Sequence, residues 1–251
     1  MKLKDKCALV TGASSGLGAA IVQRFVEEGA QVFFTYTKDE AGALLTKDRA
    51  EAAGGKVWMA QTDLSLDGAI EKLVQESLDK LKKIDVLVNN AGVFIDQPFF
   101  DITPQAFALT YKVNLEAQFF LAQWIAKEMI RQNLKGRIIN ITSGGTIRTE
   151  GVCASYAAVK GGLNTLTKAM AVELGQYGIT VNGILPGPVR TKLNDHQFVN
   201  DETRAMLLSS LKIKEFGKAE YIAEAALYYA SNEACWTTGT LLSVDGGFAS
   251  S

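Results

Sequence analysis

Proline is scarce in this sequence, with four residues in 251, and cysteine scarcer still, with three; there is one histidine. The lack of proline leaves no room for a proline-rich linker, and no low-complexity stretch or internal repeat interrupts the chain. Cys7, Cys153 and Cys235 are odd in number, far apart and without metal-ligand spacing, so no metal site is expected. They read as unbridged thiols of a reducing, cytoplasmic compartment. No stretch approaches the roughly 18 apolar residues of a membrane span. The basic cluster Lys2, Lys4, Lys6 is broken by Asp5 and followed by a short apolar run, which argues against a secretory signal. An excess of charge of either sign is missing too. A net charge of -1 and a pI near 6.0 give no electrostatic footprint for nucleic acid. What remains, 47% hydrophobic and 21% charged residues, is the composition of a globular chain with a continuous core.

Short apolar runs alternate with amphipathic stretches from end to end. Strands are predicted at Cys7–Val10, Gln31–Tyr36, Val57–Gln61, Val86–Asn89, Arg137–Ile141, Thr180–Leu185 and Leu241–Val244. Helices are predicted at about Gly16–Glu28, Glu40–Ala53, Leu66–Lys80, Pro104–Arg131, Tyr156–Gln176 and Ala219–Ser231. The strands are continuous apolar runs more than alternations, which suits strands covered on both faces. The pattern predicts an α/β fold: a single-domain, Rossmann-type, doubly wound parallel seven-stranded sheet with helices on both faces. Gly187–Gly217 is the one long interval without clear periodicity, and two of the four prolines, Pro186 and Pro188, open it. It reads as a substrate flap.

The first strand runs into Thr11-Gly12-Ala13-Ser14-Ser15-Gly16-Leu17-Gly18, and a helix follows. Glycines let the backbone turn tightly and approach a pyrophosphate, while exposed N–H groups and the helix N-terminus bind the anion. The spacing is Gly-x3-Gly-x-Gly, and such clusters also make ordinary turns; placement between strand and helix favours the phosphate loop. The second strand ends in Tyr36-Thr37-Lys38, where NAD-preferring proteins usually put a carboxylate. A 2′-phosphate would be attracted by Lys38 and bonded by Thr37, so the cofactor is expected to be NADP(H), with NAD(H) and a merely solvated Lys38 as the other reading. Asp39 and Glu40 come too late for the ribose and instead suit the next helix N-terminus.

Asn89-Asn90-Ala91-Gly92 closes the fourth strand, where small residues suit the approach of a flat ligand, or else form an ordinary turn. Ser143 follows the fifth strand, and thirteen residues on comes Tyr156-Ala157-Ala158-Val159-Lys160. On a helix this spacing puts phenol and ammonium on one face. A neighbouring cation stabilises phenolate and so lowers the phenol pKa, making tyrosine a usable acid/base.

In these motifs the chain resembles the short-chain dehydrogenase/reductase family over essentially its whole length, through Thr11–Gly18, Asp63, Asn89–Gly92, Asn114, Ser143, Tyr156, Lys160 and Pro186-Gly187. The resemblance implies an oxidoreductase that interconverts a ketone or aldehyde and an alcohol by hydride transfer. Tyr156 is then the proton donor in reduction and the base in oxidation, and Ser143 bonds the substrate oxygen. Lys160 lowers the phenol pKa and holds the nicotinamide ribose, and Asn114 fixes a proton-relay water. Gly12, Ser14, Ser15, Gly16, Leu17 and Gly18 form the pyrophosphate loop; Asp63 and Leu64 flank the adenine. Asn90, Ala91 and Gly92 lie beside the cofactor, Pro186, Gly187 and Val189 pass the nicotinamide, and Thr191 binds its carboxamide. Two departures are visible. Members preferring NADP often have a basic residue where Ser15 stands, and acyl-carrier reductases often have one where Val172 precedes Glu173.

The substrate, a small carbonyl or alcohol, is expected between Gly144, Gly145, Thr146 and Cys153 on one side and the flap from Leu193 on the other. Phe94, Ile95, Val152, Leu193 and Phe198 would make the pocket apolar. His196, in the flap, reads as a surface or packing residue. Phe119, Phe120, Leu121, Trp124, Ile125, Leu163, Leu166 and Met170 put apolar residues on more than one helix face; such stripes usually serve the core, and the resemblance makes these helices, with the stretch from Trp236 to Phe248, the interfaces of a homotetramer. Other readings are a 3-oxoacyl-thioester (acyl-carrier-protein) reductase, an NAD-dependent sugar or polyol dehydrogenase, and a non-catalytic dinucleotide sensor; the last has no need of a proton relay.

Overall fold

The fold was taken from a computed structural model, which describes residues 1–149 and 153–250. Seven strands, β1 (Cys7–Val10), β2 (Gln31–Tyr36), β3 (Val57–Gln61), β4 (Val86–Asn89), β5 (Arg137–Ile141), β6 (Thr180–Pro186) and β7 (Leu241–Val244), form one sheet. Its order is β3-β2-β1-β4-β5-β6-β7, and every pairing is parallel. β1, β4 and β5 are buried at every residue. That is what helical cover on both faces demands of a parallel strand, and it explains why these strands read as unbroken apolar runs.

The helices are α1 (Gly16–Glu27), α2 (Glu40–Ala52), α3 (Ala69–Leu81), α4 (Pro104–Tyr111), α5 (Ala117–Arg131), α6 (Ala154–Leu174), α7 (Asp195–Val199), α8 (Asp201–Ser210) and α9 (Ala219–Ala230). Two apolar clusters fill the layers. Ile21 and Phe25 of α1 and Ile222 and Leu227 of α9 pack on one sheet face, with Val10, Val88 and Ile139. Leu73 of α3 and Leu121, Ile125 and Met129 of α5 pack on the other, with Leu9, Leu87 and Ile138. Asp39 caps α2 by accepting from Gly42 N at 3.1 Å, as its position suggested, and Thr103 caps α4 ahead of Pro104.

Two expectations need correction. The stretch 104–131 is not one regular helix: a π-turn at Lys112–Glu116 separates α4 from α5. Nor is 187–217 irregular, since α7 and α8 lie within it. Phe198 is buried against Phe216, ring centroids 4.9 Å apart, in the flap's own small core instead of facing a substrate.

The strand order reverses between β1 and β4, where one crossover series runs outward to β3 and the other to β7. In such sheets the crevice beyond the carboxyl ends of the strands at this reversal is where ligands bind.

Candidate active site

A cleft of about 720 Å³ opens at that place, within the usual range of about 300–1,000 Å³ for small-molecule sites. Its floor is the turn after β1. Gly12 has φ +67°, and a Cβ there would come within 2.7 Å of the Ala91 Cα. A Cβ on Gly18 would come within 2.5 Å of the Gly12 carbonyl oxygen. Only glycine lets these backbones meet. Thr35 Oγ1 accepts from Gly12 N at 3.1 Å, and Thr11 Oγ1 accepts from both Asn90 N and Ala91 N at 3.0 Å. Asn90 donates to the Thr11 and Gly12 carbonyls, each at 2.8 Å. The ends of β1, β2 and β4 are thereby fixed to one another. Thr11 and Thr35 were not singled out by motif; a buried threonine closing a strand is the signal that marks them.

Ser15 precedes α1 without capping it through its side chain. The first N–H groups of α1 therefore lack a side-chain acceptor, and Ser14, Ser15, Gly16, Leu17 and Gly18 line the cleft. Uncapped donors and glycine-wide backbone suit a pyrophosphate. At one end the lining is Tyr36, Thr37, Lys38, Asp63 and Leu64. Asp63 accepts from Ser65 N at 2.9 Å and Ser65 Oγ at 2.6 Å, which holds its carboxyl below the usual range, helped by the Lys38 charge. Asp39 also lines this end, and its Oδ2 receives the Lys192 ammonium at 2.6 Å. That contact, joining residues 153 apart in sequence, was not foreseen.

At the other end stand Asn90, Ala91, Gly92, Ser143, Tyr156, Lys160, Pro186, Val189, Thr191 and Leu193. Ser143 Oγ hydrogen-bonds the Tyr156 phenol and accepts from Gly145 N at 3.1 Å. Burial pushes the phenol up to about 12, with Cys153 adding to the rise and the Ser143 bond opposing it. Lys160, one helical turn on, is buried and donates to the Ile141 carbonyl at 2.8 Å. Its Nζ lies 5.9 Å from the Tyr156 ring centroid, and burial pushes it down to about 7. Burial thus drives each group toward its neutral form, and the phenol rises where a lowering by the ammonium was expected.

Several expected residues stand outside the lining. Asn114 lies in the π-turn, fully buried, and its amide closes on Val93: Oδ1 accepts from Val93 N at 2.9 Å and Nδ2 donates to Val93 O at 2.8 Å. Gly187 turns toward the end of β7, donating to the Val244 carbonyl at 3.1 Å. Gly145 touches Ser143, and buried Cys153 sits behind the phenol; neither is a lining residue. Thr191, by contrast, lines the cleft, and its hydroxyl donates to Asn194 Oδ1 at 2.9 Å. Val152 lies outside the described residues.

The flap crosses this end. Phe94 meets the Tyr156 ring edge-on at 5.0 Å and stacks on His196 at 6.2 Å, while His196 Nε2 lies 3.1 Å from Asp96 Oδ2. Behind the site, Asn89 donates to Asn140 at 2.9 Å and Asn140 to Thr167 at 2.8 Å, which ties β4 and β5 to α6. The result is a deep, glycine-floored cleft with a phenol, a hydroxyl and a buried ammonium at one end and cations at the other. Among the described residues no cluster of side chains suits a metal ion.

Comparison with known proteins agrees with this geometry. A family model described as enoyl-(acyl carrier protein) reductase matches residues 12–249. A 3beta-hydroxysteroid dehydrogenase 1 from Eggerthella lenta is 36% identical over 245 residues, covering 98% of this chain and 94% of its own. An L-rhamnose 1-dehydrogenase (NADP(+)) from Thermoplasma acidophilum is 32% identical over 252 residues, covering 98% and 97%. The structure of a short-chain dehydrogenase/reductase from Serratia marcescens superposes with a TM-score of 0.93 at 38% identity, covering 99% of this chain and all of that one. Fold and cleft define a nicotinamide-dependent oxidoreductase acting on CH–OH groups. The chain belongs to the short-chain dehydrogenase/reductase family.

Proposed function

We propose that the chain is an NADP(H)-dependent carbonyl reductase/alcohol dehydrogenase with Tyr156 as its general acid and base. The observation behind this reading is the Tyr156 phenol, bonded to Ser143 at the closed end of the cleft, with Lys160 beneath it. When bound, the nicotinamide supplies or takes the hydride. The residues do the rest. A phenol raised to about 12 is protonated at neutral pH, the state needed to give a proton to a carbonyl oxygen as it becomes an alkoxide. Ser143 donates to the same oxygen and stabilises its growing charge. In the reverse direction Tyr156 must lose its proton, and Lys160, when charged, stabilises the phenolate. Asn114 holds the Asn90–Phe94 loop through Val93, so we assign it a positioning role beside any water it orders.

Ser14 to Gly18 and the α1 N-terminus would hold the pyrophosphate, Asp63 and Leu64 the adenine, and Thr37 and Lys38 a 2′-phosphate. The relative named for NADP(+) supports the choice. Asp39, which lines the same end, supports a second reading, an NAD-dependent sugar or polyol dehydrogenase, because a carboxylate is what a free ribose hydroxyl favours. The apolar neighbours of the phenol, Phe94 and Leu193, suit ketones and cyclic alcohols.

We further propose a cytoplasmic homotetramer. Phe119, Phe120 and Trp124 of α5 are each about 40% exposed, Val172 of α6 is 82% exposed and Trp236 95%, apolar side chains that a second copy of the chain would cover. No disulfide joins the three cysteines, and no helix among the described residues is long and apolar enough to cross a membrane.

Consumption of reduced cofactor over a panel of ketones, keto-sugars and an acetoacetyl thioester, with NADPH and NADH side by side, tests the assignment. Turnover favouring NADPH on at least one carbonyl is expected. Clear NADH preference would move the weight to Asp39 and the NAD reading, and tight cofactor binding with no turnover on any carbonyl would favour the sensor.

A further inference from the structure

The flap leaves β6 at Pro186 and crosses the cleft, and one of its side chains reaches the opposite wall. Lys192 places its ammonium 2.6 Å from Asp39 Oδ2, over the end of the cleft lined by Ser14, Ser15, Thr37 and Lys38. Asp39 cannot follow it freely, because its Oδ1 accepts from Gly42 N at 3.1 Å as the cap of α2. The pairing also holds the Asp39 carboxyl below its usual range, with the Lys192 bond as the larger cause and the Gly42 N–H next.

Three physical points follow. A bare carboxylate one residue beyond Lys38 would repel a phosphate in this end of the cleft, and Lys192 cancels that charge. An ammonium has three donors, and Asp39 takes one, which leaves two for a phosphate arriving from the cleft. Ser15, at the tip of the glycine loop, brings no charge of its own, so Lys38 on the β2 side and Lys192 on the flap side are the cations among the lining residues at this end. The Lys192 side chain is 69% exposed, so its ion pair with Asp39 alone stabilises the fold little, and redirecting the ammonium costs little.

We infer that Lys192 is a cofactor-selecting residue: reaching from the flap to the Asp39 side of the cleft, it joins Lys38 in binding the extra phosphate of an NADP-type dinucleotide and so couples closure of the flap to that phosphate. The inference rests on the NADP reading and adds to it a residue that the β2–α2 region alone does not reveal.

Two nucleotide fragments without a nicotinamide test it apart from turnover. Binding of adenosine 2′,5′-bisphosphate and of 5′-AMP is measured by calorimetry on the full chain and on Lys192→Met, Lys192→Arg and Asp39→Asn. The native chain is expected to prefer the bisphosphate. Lys192→Met should weaken the bisphosphate by about tenfold and 5′-AMP by less than about twofold, the loss of one charge-assisted contact. Lys192→Arg should restore most of that loss. Asp39→Asn, which keeps a capping side chain, should bind the bisphosphate at least as tightly as the native chain. Hydrogen exchange gives a second readout: the bisphosphate should protect residues 191–199 more than 5′-AMP does, and the difference should vanish in Lys192→Met. If Lys192→Met weakens both fragments equally, or neither, while the native chain still prefers the bisphosphate, Lys192 is only a flap tether and the inference fails with the NADP reading intact. If the native chain shows no preference, the NADP reading fails and takes the inference with it.

Discussion

Tyr156 and Lys160 share one face of α6, and burial shifts both toward their neutral forms. For Lys160 the folded value of about 7 lies below the unfolded value of about 10.4, so the folded protein binds fewer protons between those limits. Its cost to stability is therefore fully present below about pH 7 and is relieved as pH rises toward 10. Tyr156 acts in the opposite sense in a higher window, losing stability as pH climbs from about 10 to 12. Replacing Lys160 with Met should raise stability by about 1–4 kcal/mol near pH 7, with the gain shrinking by pH 9.5, as measured by urea unfolding. The same change should shift the onset of alcohol oxidation to higher pH, because the phenolate that acts as base loses its nearby cation. Greater stability with poorer catalysis is the expected pairing. The Tyr-x-x-x-Lys spacing was legible in the sequence. The outcome of burial against charge was not, because it depends on how far Ile141, Phe94 and Cys153 close over the pair.

At the scale of elements, the loop that follows β4 lines the cleft through Asn90–Val93, and the π-turn braces it through Asn114. The π-turn has no marker in sequence: no glycine or proline falls in Pro104–Arg131 beyond the first residue, so the stretch reads as one helix. Asn114→Ala removes both bonds to Val93 and leaves its buried N–H and carbonyl unsatisfied. A loss of about 1–3 kcal/mol is expected in unfolding experiments, together with weaker NADPH binding as the loop loosens. Weaker unfolding without weaker binding would show that the loop holds its shape by other contacts, such as Gln118 donating to the Ala91 carbonyl. The flap helices were hidden for a different reason. α8 (Asp-Glu-Thr-Arg-Ala-Met-Leu-Leu-Ser-Ser) has little amphipathic contrast, because it buries no apolar side chain and only Ser210 of its residues is buried. By contrast α1 follows the glycine loop with Ile21, Val22, Phe25 and Val26 buried, and its bounds could be read to within a residue.

For the molecule as a whole, the sheet was the most legible feature. Six of the seven strands have the limits predicted from their apolar runs, and β6 is longer by Pro186 alone. Strands sealed on both faces, as β1, β4 and β5 are, carry apolar runs whose ends are easily read, while the order of the strands carries no such mark in the sequence. The core depends on this sealing. Ile125→Ala, between α5 and the sheet, should cost about 2–5 kcal/mol in unfolding free energy. Assembly is the property on which the sequence and one chain say least, since an exposed Trp124 or Trp236 looks alike whether a partner covers it or not. Trp124→Asp is expected to yield smaller species than the native chain in light scattering after size exclusion, with the fold kept by circular dichroism; an unchanged mass would place the interface elsewhere.

The claim at the centre of this account is that the Tyr156 phenol moves the proton in carbonyl reduction. Its most direct test is a single-turnover reaction of the Tyr156→Phe chain, loaded with NADPH, against a ketone that the native chain reduces. Cofactor binding within about twofold of native, with reduction slowed by a factor of about 100–10,000, is the predicted result. Reduction at the native rate, with the phenol gone, would contradict it.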